Sequence, residues 1–201
     1  MLRFWKCTGA AMIAYGVLSG CTSGESWKTH DISSLVPDLA FTLTDDRGRS
    51  VSAQDYRGKV ALLFFGFTHC PDVCPTTLAR LARTIQATDG GRDDVRVLVV
   101  TVDPARDSTA VMHEYVQAFG PQFVGLRGDA AALEALARRY RVAYALGKPD
   151  ARGNYEVTHS SAVFVFDREG RARLLFSSKD TPAATAEDLR RVILDSSHGA
   201  G

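Results

Sequence analysis

Two stretches constrain this chain more than any other feature: Val60–Phe65 and Val95–Val102 are almost uninterrupted apolar runs. Neither alternates polar with apolar, so neither suits a strand with one wet face. Runs of this length and β-branched content suit strands buried on both faces, as in a parallel sheet covered by helices. The residues between them supply such a cover. Thr76 to Ala87 carries Leu78, Leu81, Ala82 and Ile85 at helical spacing, an apolar stripe along one face.

The rest of the chain fits the same α/β reading. Phe41–Thr44 and Ser50–Ser52, separated by turn chemistry at Asp45 to Gly48, predict an N-terminal hairpin. Ser108 is placed to cap a helix ending near Phe119, before Gly120 and Pro121. Phe123–Leu126 reads as a short strand, and Asp129 caps a helix that turns Leu133, Leu136 and Tyr140 inward. Ala162–Phe166 and Arg171–Phe176 are strands joined by Asp167–Gly170, and Thr185 with Asp188 opens a last helix to about Leu194. This order predicts a central mixed sheet flanked by helices, with an N-terminal β-hairpin extension, and is similar to that of a thioredoxin-like fold. A chain of 201 residues holds one such domain with accessories. We place it at 37–196, preceded by a polar tether at 21–36 and followed by a tail at 197–201.

The first twenty residues read as a targeting segment. Arg3 and Lys6 precede a 12-residue apolar or small run, Cys7–Leu18, too short for a membrane helix of roughly 20 residues. Leu18-Ser19-Gly20-Cys21 resembles a bacterial lipoprotein signal, cleaved before a Cys that then carries lipid. The alternatives are a plain secretory signal or an uncleaved anchor, with Cys21 incidental. Cleavage after residue 20 lowers the cations from 24 to 22 against 23 acids. A near-neutral chain offers no electrostatic case for nucleic acid, which requires a basic patch.

Cysteine usage then becomes informative. Of four cysteines, Cys7 leaves with the signal and Cys21 is acylated, so Cys70 and Cys74 remain in a disulfide-permissive compartment. They lie in Phe64-Phe65-Gly66-Phe67-Thr68-His69-Cys70-Pro71-Asp72-Val73-Cys74-Pro75, which follows a buried strand and opens a helix. On a helical turn, residues four apart share a face, with Cα atoms roughly 6 Å apart, inside the disulfide range of about 4.4–6.8 Å. The pair can therefore close as a disulfide or clamp a metal. A helix start is expected to favour thiolate over thiol at these positions. Soft thiolates take Cu(I), zinc or an iron–sulfur cluster. Two Cys half-fill a zinc site and no third Cys remains for a cluster, whereas two Cys and one His suit trigonal copper. His159, just before a strand-forming run, is the best-placed imidazole. The residues alone leave it between a ligand and an ordinary surface or core histidine.

Residues 37–176 resemble the Sco/SenC family of copper metallochaperones, a branch of the thioredoxin fold. The resemblance rests on Asp55-Tyr56-Arg57-Gly58-Lys59-Val60, on the Phe-Gly-Phe-Thr-His-Cys-Pro-Asp-Val-Cys-Pro run, on Thr101 to Asp107 and on His159-Ser160-Ser161. The Cys-bearing run is highly specific; the others are weak singly but occur in the right order. It implies that Cys70, Cys74 and His159 bind one copper ion, Cu(I) and also Cu(II), for the dinuclear copper site of cytochrome c oxidase subunit II. It also implies an exported, lipid-anchored protein of the bacterial cell envelope, with a further periplasmic copper chaperone or thiol reductase as a possible second partner.

Other candidates carry plainer readings. His69 is expected to point off the shared face and His113 to be solvated. Asp72 reads as a solvated carboxylate or as a group that tunes or briefly ligates Cu(II), and Asp103, on the same sheet edge as the Cys loop, as a turn cap or a support of the site. His30 and His198 fall in tails, and Met112 is the only Met left after the signal, which excludes a Met-rich copper store. The alternative function is thiol–disulfide exchange, with Cys70–Cys74 redox-active and reducing the oxidase cysteines. A general thioredoxin is disfavoured by the three-residue spacer and by Thr158-His159 where thioredoxins carry a proline. A thiol peroxidase is disfavoured because no Pro lies between Asp38 and Cys70.

Overall fold

The computed structural model describes residues 26–88, 91–150 and 155–195. The signal segment with Cys7, the lipidation candidate Cys21 and the tail with His198 lie outside them. Among the described residues no helix is long and apolar enough to cross a membrane.

The two apolar runs form the middle of an eight-stranded sheet. β4 (Val60–Gly66) is buried at every residue, paired parallel with β5 (Val95–Thr101) and antiparallel with β9 (Val163–Phe166). β6 (Phe123–Arg127) continues the sheet parallel to β5. Beyond it lie β2 (Thr42–Asp45) and β3 (Ser50–Ser52), the expected hairpin, with β2 antiparallel to β6. On the other side, β10 (Ala172–Phe176) pairs with β9, and β1 (His30–Asp31) pairs with β10. The order is β1-β10-β9-β4-β5-β6-β2-β3, the expected mixed sheet.

Helices cover the sheet because their stripes match its apolar faces. α1 (Val73–Gln86) buries Leu78, Leu81 and Ile85 and packs against α5 (Pro182–Asp195). A short turn, α2 (Gly91–Asp94), leads into β5. α3 (Thr109–Gln117) begins at Ser108, whose hydroxyl accepts the Val111 N–H, and packs on β6. α4 (Ala130–Arg139) begins at Asp129, whose carboxylate accepts the Ala132 N–H, and buries Leu133 and Leu136. Both caps were legible in the sequence.

Three expectations need correction. α5 starts at Pro182, not Thr185: the Thr181 hydroxyl accepts the Ala184 N–H (3.2 Å), and Pro182 fits the first turn, where its missing donor is harmless. α1 starts at Val73, so Cys74 lies inside its first turn. Residues 26–36, expected within the tether, pack onto the domain: β1 extends the sheet, Ile32 is buried, and the Asp188 carboxylate accepts the N–H groups of Lys28 (2.9 Å) and Thr29 (2.7 Å). A further two-stranded ribbon, β7 (Tyr144–Leu146) with β8 (Val157–His159), stands apart from the main sheet.

Candidate metal centre

The site forms where β4 runs out. β4 ends at Gly66, a loop carries Thr68, His69 and Cys70, and α1 then brings in Cys74. Gly66 is required there by space alone: an added Cβ would lie 2.7 Å from Phe64 Cε1 and 3.1 Å from Cys74 Sγ. The buried Cys74 sulfur thus sits almost on the strand backbone. The Cys74 N–H donates to Cys70 Sγ (3.3 Å), so the first sulfur accepts one of the donors that a helix start leaves free.

His159 arrives from the separate ribbon, as the last residue of β8 opposite Tyr144. Its Nε2 lies 3.1 Å from Cys74 Sγ. The Ser160 carbonyl, 2.9 Å from Nδ1, takes a hydrogen bond from that nitrogen and leaves the Nε2 lone pair facing the sulfur. Phe64 and Phe67 hold the ring edge-on, with centroids at 5.8 and 5.7 Å. Burial keeps the imidazole below its ordinary value, and hydrogen bonding to backbone only partly opposes this, so near pH 7 it is neutral. A neutral, oriented imidazole is the form that ligates metal.

Cys70, Cys74 and His159 are the His, Cys and carboxylate cluster found among the described residues, with ligand atoms all within 4.8 Å of one another. The donor set, two sulfurs and one nitrogen, suits Cu(I). Both cysteines are free thiols, so the expected disulfide is not formed in this structure. The expected thiolate character also fails at Cys74. Burial pushes this thiol well up, with the Cys70 sulfur adding to it, and the lowering effect of the Phe67 backbone does not compensate. Desolvation at a closed strand end outweighs the helix start. Cys70 is only half-buried.

Two carboxylates support the site, and the sequence points to only one of them, Asp103. Asp107, fully buried, accepts from the Thr68 N–H (3.1 Å) and hydroxyl (2.6 Å) and from the Thr101 hydroxyl (2.6 Å), tying the Cys loop to the end of β5. The signal was present, since Asp107 closes the Thr101–Asp107 segment, but a buried partner for it was not. The second is Asp103, expected as a turn cap or a support of the site and found as a support: it binds Arg106 and accepts the Tyr155 hydroxyl (2.6 Å), and the Arg106 guanidinium lies 3.9 Å from the Tyr155 ring centroid. That trio fastens the segment entering β8, and so His159, to the loop after β5.

The other candidates stay outside the triad. Asp72 is exposed and accepts from the Thr76 hydroxyl (3.2 Å). His113, expected to be solvated, is instead paired with the buried Asp46 (3.0 Å). His30 lies in β1, and Met112 is core beneath Gly125.

The sequence matches the SCO1/SenC family model over residues 34–194. The chain belongs to the SCO1/SenC family. It is 40% identical over 151 residues to the mitochondrial SCO2 homolog of Bos taurus, a match covering 74% of this chain and 55% of that protein. The human SCO2 homolog is 35% identical, over 75% of this chain and 58% of its own length, so this SCO1/SenC chain spans little more than half of either relative. Among solved structures, copper-bound ScoI of Bradyrhizobium japonicum is 38% identical, covering 78% of this chain and 99% of its own, with a TM-score of 0.70. Copper-bound ScoI of Arabidopsis thaliana is 31% identical, with a TM-score of 0.73 over 80% and 99% of the two chains. The thioredoxin-like fold expected from element order and the family expected from the motifs are thus both established.

Proposed function

We propose that this chain binds one copper ion through Cys70 Sγ, Cys74 Sγ and His159 Nε2 and delivers it to the dinuclear copper site of cytochrome c oxidase subunit II. The convergence of the three ligand atoms within 4.8 Å, from a loop, a helix start and a separate ribbon, carries the reading. Membership in a family with copper-bound solved relatives supports the choice of metal. Copper is the cargo, so the site must both hold and release it. Burial of Cys74 provides retention, and the half-exposed Cys70, on the loop ahead of the helix, is the sulfur a partner reaches first. A lipid on Cys21 would anchor the domain at the bacterial cell envelope, where the oxidase subunit is accessible.

A second reading, reduction of the oxidase cysteines, is favoured by the same asymmetry. An accessible Cys70 with a buried Cys74 behind it is an attacking and resolving pair. Anaerobic Cu(I) titration separates the readings. The reduced chain should bind one copper, and Cys70→Ser with Cys74→Ser should bind none tightly. His159→Ala should weaken retention about 10–100-fold while leaving the dithiol able to form and break a disulfide. Full retention in the double Cys variant would sink the copper reading. Unchanged copper binding with lost disulfide exchange in His159→Ala would establish the redox one.

A further inference from the structure

The Cys loop carries an imidazole that the triad does not use. His69 directly precedes Cys70, and its side chain is 52% exposed. Its orientation is set from beneath by a chain of acceptors. One Asp107 oxygen takes the Thr68 hydroxyl proton at 2.6 Å, while the other accepts the Thr68 N–H and the Thr101 hydroxyl. A hydroxyl has one proton to give, so the Thr68 oxygen meets the His69 ring as an acceptor. The 3.1 Å contact between Thr68 Oγ1 and His69 Nδ1 is then Nδ1–H donating. In the neutral ring the lone pair is left on Nε2, which takes no hydrogen bond from any described residue.

His159 has the same tautomer for an equivalent reason, its Nδ1 being held by the Ser160 carbonyl. The structure therefore prepares two imidazole lone pairs, one half-buried beside Cys74 and one on the exposed residue that precedes Cys70 in the loop. His69 does not belong to the cluster whose ligand atoms lie within 4.8 Å, so it does not complete the resting site. Its position suits an earlier or later stage of the same journey.

We propose that His69 is an entry and exit ligand, whose Nε2 with Cys70 Sγ takes Cu(I) from a donor before the ion moves inward. The proposal rests on the copper reading above. No electron is transferred. One donor–copper bond breaks as Cu–Nε2 of His69 forms, and a second breaks as Cu–Sγ of Cys70 forms, the thiol proton passing to water or to the departing donor ligand. Cys74 Sγ then binds, losing its proton in the same way, His159 Nε2 joins, and His69 is released. Delivery reverses these exchanges. Imidazole and thiolate both suit copper, so each intermediate keeps at least two good ligands.

The test is kinetic. The full reduced chain in detergent is mixed without oxygen with the coloured Cu(I) complex of bicinchoninate, and loss of colour gives the loading rate. His69→Ala should load about 10-fold more slowly, on the scale by which groups beside metal sites act. It should still reach one copper per chain with an affinity within about twofold of the parent. Added imidazole, at a level that leaves the bicinchoninate complex intact, should restore the variant's rate and leave the parent unchanged. An unchanged rate in His69→Ala overturns the proposal, as does a slow rate that imidazole does not rescue, which would mark His69 as merely structural. A parent chain that takes up no copper overturns the copper reading itself, and this proposal falls with it.

Discussion

At the scale of single residues, the site is governed by desolvation. Cys74 and His159 are both held in their neutral forms by burial, the thiol pushed up and the imidazole pushed down. Copper must therefore displace a proton from Cys74 on binding, but none from His159 near neutrality. Below the raised value of a ligand thiol, each pH unit gained makes that proton tenfold easier to remove. Copper affinity should rise by at least about 10-fold per pH unit between pH 7 and 9 on account of Cys74. His159 should add a further dependence only below the ordinary imidazole range, since burial holds it lower, as protons come to compete for Nε2. Competition with a chelator whose own protonation is constant over this range measures the slope. A slope shallower than one decade per unit would mean that Cys74 is already ionised in the copper-free chain.

Between elements, the site depends on how closely β4 and α1 approach at Gly66. Gly66→Ala places a methyl group against the Phe64 ring and the Cys74 sulfur at once. Since Phe64 also supports His159 edge-on, the disturbance reaches two of the proposed ligands. Overpacking of this kind costs about 1–3 kcal/mol. Copper affinity should fall about 10-fold as well, because ligand geometry shifts with the supporting groups. Chemical denaturation and copper competition check the two effects together, and a variant unaltered in both would show that the strand and helix can part freely. The same elements show why part of the site was legible in the sequence. β4, β5 and the α1 stripe announce themselves by periodicity, and Ser108 and Asp129 by cap chemistry. Cys70 and Cys74 follow from their spacing at a strand-to-helix junction. His159 needed the family resemblance because its ribbon is two strands of three residues, too short and too exposed to leave a pattern. Asp107 was passed over because a carboxylate after a strand looks like turn chemistry until Thr68 and Thr101 are seen converging on it. The direction of the Cys74 shift was misread for a related reason: spacing reveals a helix start, whereas burial is a property of everything packed around it.

For the whole molecule, the boundary of the domain is the feature that composition misplaced. Residues 26–36 carry no helix or strand periodicity, yet they close one edge of the sheet. β1 covers β10, Ile32 enters the core, and the Trp27 ring lies beside Arg191, with the guanidinium carbon 4.1 Å from its centroid. Asp188, fully buried on α5, takes the Lys28 and Thr29 N–H groups and the Thr29 hydroxyl (2.8 Å), so cutting this segment away removes its principal donors. Burying Ile32 contributes about 1.5–3 kcal/mol, while the hydrogen bonds that Asp188 accepts from Lys28 and Thr29 are exchanged for bonds to water. The loss also leaves β10 as an open edge, a template for pairing between chains. A chain beginning at residue 37 should therefore be less stable than one beginning at residue 26 by at least about 1.5 kcal/mol, and should self-associate as it is concentrated. Because this segment meets β10 and α5, whereas the proposed ligands sit at the β4–α1 junction and on β8, whatever fraction stays folded should still bind copper as the longer chain does. Denaturation midpoints and light scattering on the two chains decide the matter. Equal midpoints would make residues 26–36 a tether after all, and copper loss without loss of stability would mean that the N-terminal edge reaches the metal centre by a route the packing does not show.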